Sequence, residues 1–261
     1  VSLGTLGLLL FFLVPVPGRD LPGLGTPVPG VDERDIMFSR AALAPGTERF
    51  REYYRRRPEN REPDDGFRKE AGLLSGEALH FHPLSFPAAD AAFWTIERLR
   101  PFVEGDAPAA TPGPARLGGQ RVETPLAGSL QGSPEEVSRF LKEWARKMGA
   151  HSAGVAELKD YHIYSHVGRG PEYGEPVRLE HTHALALTVE MDREMVDRAP
   201  RAPTVMESAH QYLRSGVMAI QLADTIRRWG FSARAHVDGN YRVICPLVAR
   251  DAGLGELGRM G

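Results

Sequence analysis

The chain has 261 residues, 42% apolar and 25% charged, ordinary values for a globular protein of one large domain or two small ones. A formal net charge of -2 lacks the basic excess of a nucleic-acid binder, so no nucleic-acid partner is expected. Cys245 is the only cysteine, which excludes an internal disulfide, a thiolate zinc site or an iron–sulfur cluster ligated by these residues alone.

Residues 1–17, VSLGTLGLLLFFLVPVP, are apolar and uncharged. They read as a transmembrane anchor, slightly short of the roughly 20 residues a span needs, against a buried or signal-like segment. Pro15 and Pro17 end the run and Arg19 follows where a headgroup-level charge would sit. Attachment to a membrane through the N-terminus, at its cytoplasmic face, is the expectation. Residues 18–34 are Gly/Pro-rich and read as a linker. Residues 35–132 form a helical or irregular N-terminal region. Within it, 35–73 predicts short helices, with the arginine-dense stretch 51–57 a solvated helix face. Residues 87–99 predict a helix ended by Pro101, and 105–132 a Pro/Gly-rich domain boundary.

Residues 133–261 are more regular. Ser133, Pro134 and Glu136 form a capping-box pattern. Val137, Phe140, Leu141, Trp144 and Met148 follow as one apolar stripe, closed by Gly149. Strands are predicted over 153–156 and 183–190. Thr204 with Glu207 suggests a second capping box, opening a long helix to Trp229. Two further short strands are predicted over 231–236 and 241–244. This order points to a mixed α/β layer and not to a clean βαβ series.

Three constellations carry possible chemistry. Gly253, Gly255 and Gly258 fit a G-x-G-x-x-G pattern, which binds a dinucleotide only where a strand precedes it and a helix opens on it. The preceding residues 246–251 read instead as a Pro-initiated helical turn, and glycines that let backbone approach a large flat cofactor fit equally well. Ser208 and Tyr212 lie one turn apart on the long helix, so both hydroxyls share a face. Taken alone, such a Tyr is a core aromatic with its hydroxyl at the edge; a proton-donating Tyr needs a neighbouring group to orient it. Asp238, Gly239, Asn240 and Tyr241 form a turn of ordinary turn residues. His162, His166, His181 and His183 have no partner at a metal-ligand spacing, so no metal site is expected.

The run SARAHVDGNYRVICPLVARDAGLGELGRMG (232–261) resembles the reductive dehalogenases and their membrane-anchored relatives. YSHVGRGPEYG (164–174), HALALTVEMD (183–192), ESAHQYLRSGVMAIQLADTIRRWGFSARAH (207–236) and RDIMFSRAALAPGTERFREYY (34–54) occur in the same order in that family. AGLGELGR is the most specific of these blocks, and epoxyqueuosine reductases share a shorter version of it. The resemblance implies an α+β fold, a nitroreductase-like, cobalamin-binding mixed sheet flanked by helices, followed by a module with two [4Fe–4S] clusters. It implies cobalamin-dependent removal of halide from a small organohalide, with electrons from a ferredoxin-like or membrane redox partner. Tyr212 matches the proton donor and Ser208 the hydroxyl beside it. Asn240 matches a polar group of the cobalamin-facing loop, to which His236, Asp238 and Gly239 also belong. Gly253, Leu254, Gly255 and Gly258 would line the corrinoid or its nucleotide tail. The family's phenolate-stabilising base lies downstream of this chain, and Arg234 is the local substitute. No cluster-binding cysteine run and no twin-arginine leader is present, so the sequence reads as an N-terminal fragment carrying the cobalamin part. Epoxyqueuosine-reductase-like chemistry and a non-catalytic homologue of the domain are the alternatives.

Overall fold

The computed structural model describes residues 29–72, 74–103, 115–117, 120–122 and 132–258. The expected anchor over 1–17, most of the linker and most of the boundary over 105–132 lie outside the described residues. No helix among the described residues is long and apolar enough to cross a membrane.

The N-terminal part is built of short helices, α1 (Met37–Ala41), α2 (Glu48–Arg56) and α3 (Arg61–Phe67). In α2 Arg51, Arg55 and Arg56 face solvent as expected, but Tyr53 and Tyr54, which lie within the stretch expected to be solvated, are buried with Phe50 and Leu43 because the helix turns them to its inner side. The end of the stretch read as linker is packed and not solvated, since Glu33 and Arg34 are buried. Helix α4 (Ser85–Leu99) passes into a 3-10 turn at Arg100–Phe102, where Pro101 interrupts the α-helical ladder. Strands β1 (Ala115–Leu117) and β2 (Gln120–Val122) pair antiparallel.

Helix α5 (Pro134–Lys147) starts at the predicted capping box, with Ser133 Oγ accepting from Glu136 N and the Glu136 carboxylate from Ser133 N. Strands β3 (Ser152–Glu157) and β4 (His183–Thr188) pair antiparallel in the register Ser152↔Thr188 to Glu157↔His183. After the short α6 (Arg193–Val196) comes α7 (Ala202–Arg228), the central helix. Its Phe93-facing side and α4 enclose Ile96, Val103, Ala223, Ala235 and Val237. Its other side packs Met218 and Leu222 against Leu141, Ala145 and Ala153 of α5 and β3. The described residues close with α8 (Cys245–Asp251) and the glycine loop.

Three expectations are corrected. Thr204 does not cap α7, which begins earlier with Pro203 in its first turn. Thr204 Oγ1 donates instead to Met195 O (2.9 Å), and Glu207 is buried as the acceptor for Asp192 N and Gln211 Nε2, both at 2.7 Å. Residues 231–236 and 241–244 form no ladder of strands. Their alternation is real, because Ala233, Ala235 and Val237 all point inward, but the backbone finds single partners elsewhere. Ala235 N donates to Val103 O and Ile244 N to His162 O. Finally, the paired strands among the described residues are antiparallel pairs and not the mixed sheet expected, although helices with a small sheet remain an α+β arrangement.

Candidate functional site

Tyr212 stands on the outer edge of α7, 39% exposed, with its ring tilted against Phe93 of α4 at 6.0 Å. Its phenol is pushed above the usual tyrosine range, first by burial of part of the ring and then by the Asp238 carboxylate. The Arg169 guanidinium opposes that shift, and the Cys245 thiol adds to it. The neighbours of Tyr212 are therefore brought from the turn after α7, the β3–β4 connection and the start of α8. Ser208 is half-buried one turn earlier on the same helix.

Arg169 is the organising cation, and the sequence reading had not singled it out. Its Nε donates to Glu33 Oε1 (3.0 Å), its Nη1 lies 3.8 Å from Asp238 Oδ1, and its guanidinium sits 5.4 Å from the Tyr241 ring centroid. Burial raises the phenol of Tyr164 above its ordinary value and that of Tyr241 well above it. The Cys245 thiol, though reached by solvent, is pushed up to about 11, chiefly by desolvation. At neutral pH this leaves Tyr164, Tyr212, Tyr241 and Cys245 all carrying protons around one guanidinium. Such a cluster can hand over a proton and stabilise the anion left behind. A signal for Arg169 was present in the sequence: an arginine between two glycines marks a turn that brings backbone and charge close to another element.

The turn residues divide into two roles. Asp238 faces Tyr212 and Arg169, and Gly239 takes a left-handed φ of +74° at the tip of the turn. Asn240 turns away and is buried, its Oδ1 accepting from Arg234 Nη2 (2.7 Å) while its carbonyl accepts from Arg234 Nη1 (3.1 Å). Arg234 therefore braces the turn, and the charges acting on Tyr212 come from Asp238 and Arg169. His236 Nδ1 accepts from Arg242 N (3.1 Å), and burial, with Arg234, His181 and Arg242 adding to it, holds its imidazole at about 3.

A neutral imidazole kept below its unfolded value, near 6.5, has a consequence for stability. Below about pH 6.5 the unfolded chain binds one proton more than the native state at this position. Stability is then lost as pH falls toward about 3, at about 1.4 kcal/mol per pH unit. His236→Asn keeps an acceptor for Arg242 N and removes the titration. Its urea-unfolding free energy is expected to fall less steeply between pH 6 and pH 4 by about that amount. Parallel slopes for the two proteins would contradict this account of His236.

The glycine block ends α8. Gly253 N donates to Arg250 O (2.9 Å) and Leu254 N to Ala249 O (3.0 Å), a Schellman cap with Gly253 at φ +75°. Because a helix and no strand precedes this block, the dinucleotide reading has no structural support. Leu254 folds back over β3, where a Cβ on Gly154 would stand 3.0 Å from Leu254 Cδ2 and 2.3 Å from Ala252 O. Gly253, Gly255 and Gly258 are exposed, and a Cβ on either of the first two would meet nothing within 4 Å. The backbone there lies open, with room for a broad group against it. Cys245 opens α8 and Gly253 follows it, so one helix of roughly 10 Å joins the Tyr212 cluster to the open loop.

The register of α8 is held by a buried network. His162 is fully buried, its Nδ1 accepting from Lys159 N (3.1 Å), so Nε2 carries the proton it donates to Asp251 Oδ2 (3.0 Å). Tyr161 Oη and Arg250 Nε donate to the same carboxylate. A separate cavity of about 700 Å³ opens between 175–181 and Ser232–Arg234, with His181 and Arg242 on its wall. Neither Tyr212, Ser208 nor the glycine loop lines it.

No family model and no curated protein matches the chain. Among solved structures it is similar to a reductive dehalogenase whose structure suggested a mechanism for B12-dependent dehalogenation, at 23% identity and TM-score 0.51. It is similar to the N-terminally tagged catabolic reductive dehalogenase NpRdhA at 23% identity and TM-score 0.53. The same enzyme in complex with 3-bromo-4-hydroxybenzoic acid gives 23% and 0.51. Each alignment covers 76% of this chain and 27% of the dehalogenase. The fold of this chain is thus one found in B12-dependent reductive dehalogenases, of which it spans about a quarter of the length.

Proposed function

We propose that this chain is part of a corrinoid-dependent reductive dehalogenase that removes halide from a small organohalide. The observation that supports it most is the protonated cluster of Tyr212, Tyr241 and Cys245 around Arg169, set in a fold shared with B12-dependent dehalogenases. Bound cobalamin supplies the reducing chemistry at the carbon–halogen bond. The residues of this chain do the rest: Tyr212 Oη donates the proton that replaces halide, Arg169 favours the phenolate, and Phe93 shields one side of the ring. Ser208 is the hydroxyl beside the donor, one turn earlier on its helix, Asn240 is the polar group of the cofactor-facing turn, and Gly253, Gly255 and Gly258 offer open backbone to the corrinoid. His236 and Asp238 belong to the same cofactor-facing turn. With one cysteine in 261 residues, the electrons come from [4Fe–4S] clusters or another donor outside this sequence. Membrane attachment through residues 1–17, at the cytoplasmic face, is part of the proposal and rests on their apolar character.

A complete protein containing this chain, loaded with cobalamin and driven by a low-potential chemical reductant, tests the reading. Tyr212→Phe is expected to lower the rate of halide release by about 100-fold or more, the usual contribution of a positioned general acid. An unchanged rate would remove Tyr212 from the mechanism.

A further inference from the structure

The segment ahead of α1 is tied to the site at successive residues. Ser165 N donates to Val31 O (2.8 Å), and His166 Nδ1 lies 3.8 Å from Asp32 Oδ2. Glu33 is 1% exposed, and its carboxylate accepts from Gly168 N (2.7 Å) and Arg169 Nε (3.0 Å). On its far edge the guanidinium meets Asp238 at 3.8 Å, with the Tyr241 ring at 5.4 Å. A guanidinium held on one edge by a buried carboxylate cannot swing away without leaving that charge unpaired, which burial makes costly.

We propose that Glu33 is a positioning residue: from the N-terminal segment it fixes Arg169 between Asp238 and Tyr241, and so couples the proton affinity of Tyr212 to the docking of residues 31–35. The inference rests on the reading of Tyr212 as a proton donor but concerns its ionisation, which needs no cofactor. The groups facing Tyr212 are Asp238, Arg169, Cys245 and Tyr241, and α4 presents Phe93. Glu97 of α4 reaches the turn itself, 3.4 Å from a Cβ placed on Gly239. Among these, Arg169 is the cation that favours the phenolate, and Asp238 opposes it. Where Arg169 sits between them therefore sets the balance, and Glu33 sets where it sits.

The test places 3-nitrotyrosine at position 212 of the full chain, where its phenol ionises near neutral pH and its absorbance reports the midpoint. Arg169→Gln is expected to raise that midpoint by about one pH unit. Glu33→Gln should displace it when Arg169 is present and leave it in place in the Arg169→Gln background. Should Glu33→Gln fail to fold, Glu33→Asp, which withdraws the carboxylate by one methylene, is expected to show the same dependence on Arg169. A midpoint unmoved by Arg169→Gln, or a Glu33 effect that is nil or equal in both backgrounds, would overturn the proposal. Failure of the chain to bind a corrinoid would leave this result intact, so the two readings fail separately.

Discussion

Gly168→Ala is expected to destabilise the chain by about 3 kcal/mol, a large effect for one methyl group. A Cβ at that position would stand 2.5 Å from the carbonyl carbon and oxygen of Glu33 and 2.5 Å from Ser39 Oγ. Backbone cannot yield as the far end of a flexible side chain would. The clash therefore forces the segment that carries Glu33 away from the Gly168–Arg169 turn, and two hydrogen bonds to a fully buried carboxylate go with it. Gly66→Ala in α3, where nothing lies within 4 Å, is the matched control. There the loss of unfolded-state freedom should leave stability unchanged or raised by about 0.5 kcal/mol. Chemical denaturation of both variants checks the pair, and equal midpoints would mean that the Glu33 clasp is not tightly packed.

His162→Ala is expected to cost about 3 kcal/mol, from lost packing of a fully buried ring and from two stranded partners. Lys159 N loses its acceptor and Asp251 loses one of its donors. The damage should be directional: Asp251 closes α8, so the glycine loop behind it loses its register on β3. His162→Asn, which retains an acceptor near Nδ1, should recover part of the stability. Hydrogen exchange at 248–255 is the informative measurement. Faster exchange there, with α4 unchanged, fits the account, and a uniform increase would assign His162 to the core in general.

Local signals were legible wherever the chain decides its own conformation. The Ser133 capping box, the helix expected over 87–99 and found at Ser85–Leu99, and the Pro-initiated α8 follow from caps, prolines and periodicity. So do the strands expected over 153–156 and 183–190 and found at Ser152–Glu157 and His183–Thr188, while the pairing of the two does not. The Thr204 pattern misled because the same residue types serve long-range bonds: Thr204 reaches Met195, and Glu207 reaches Asp192. Residues 231–236 alternate as a strand does, yet that alternation serves packing on α4 and α7 without a partner strand. Ser208 and Tyr212 were candidates by their spacing on one helix, and Asp238 only by the family resemblance. Glu33 was not a candidate, and the glycines flanking Arg169 mark only a turn, because the meaning of both residues depends on a contact across more than a hundred residues of chain. Gly253 drew attention as a cofactor-loop glycine, and what its φ and hydrogen bonds show is a helix cap.

The central claim is that the open glycine loop and the Tyr212 cluster belong to a corrinoid site, and direct binding tests it. The 261-residue chain, titrated with aquocobalamin and followed by its visible absorbance, is predicted to bind and shift the corrinoid spectrum. Gly253→Val and Gly255→Val should weaken that binding by at least about tenfold, a change of about 1.4 kcal/mol. A corrinoid that passes through gel filtration with an unaltered spectrum and no retention by the protein would contradict the claim.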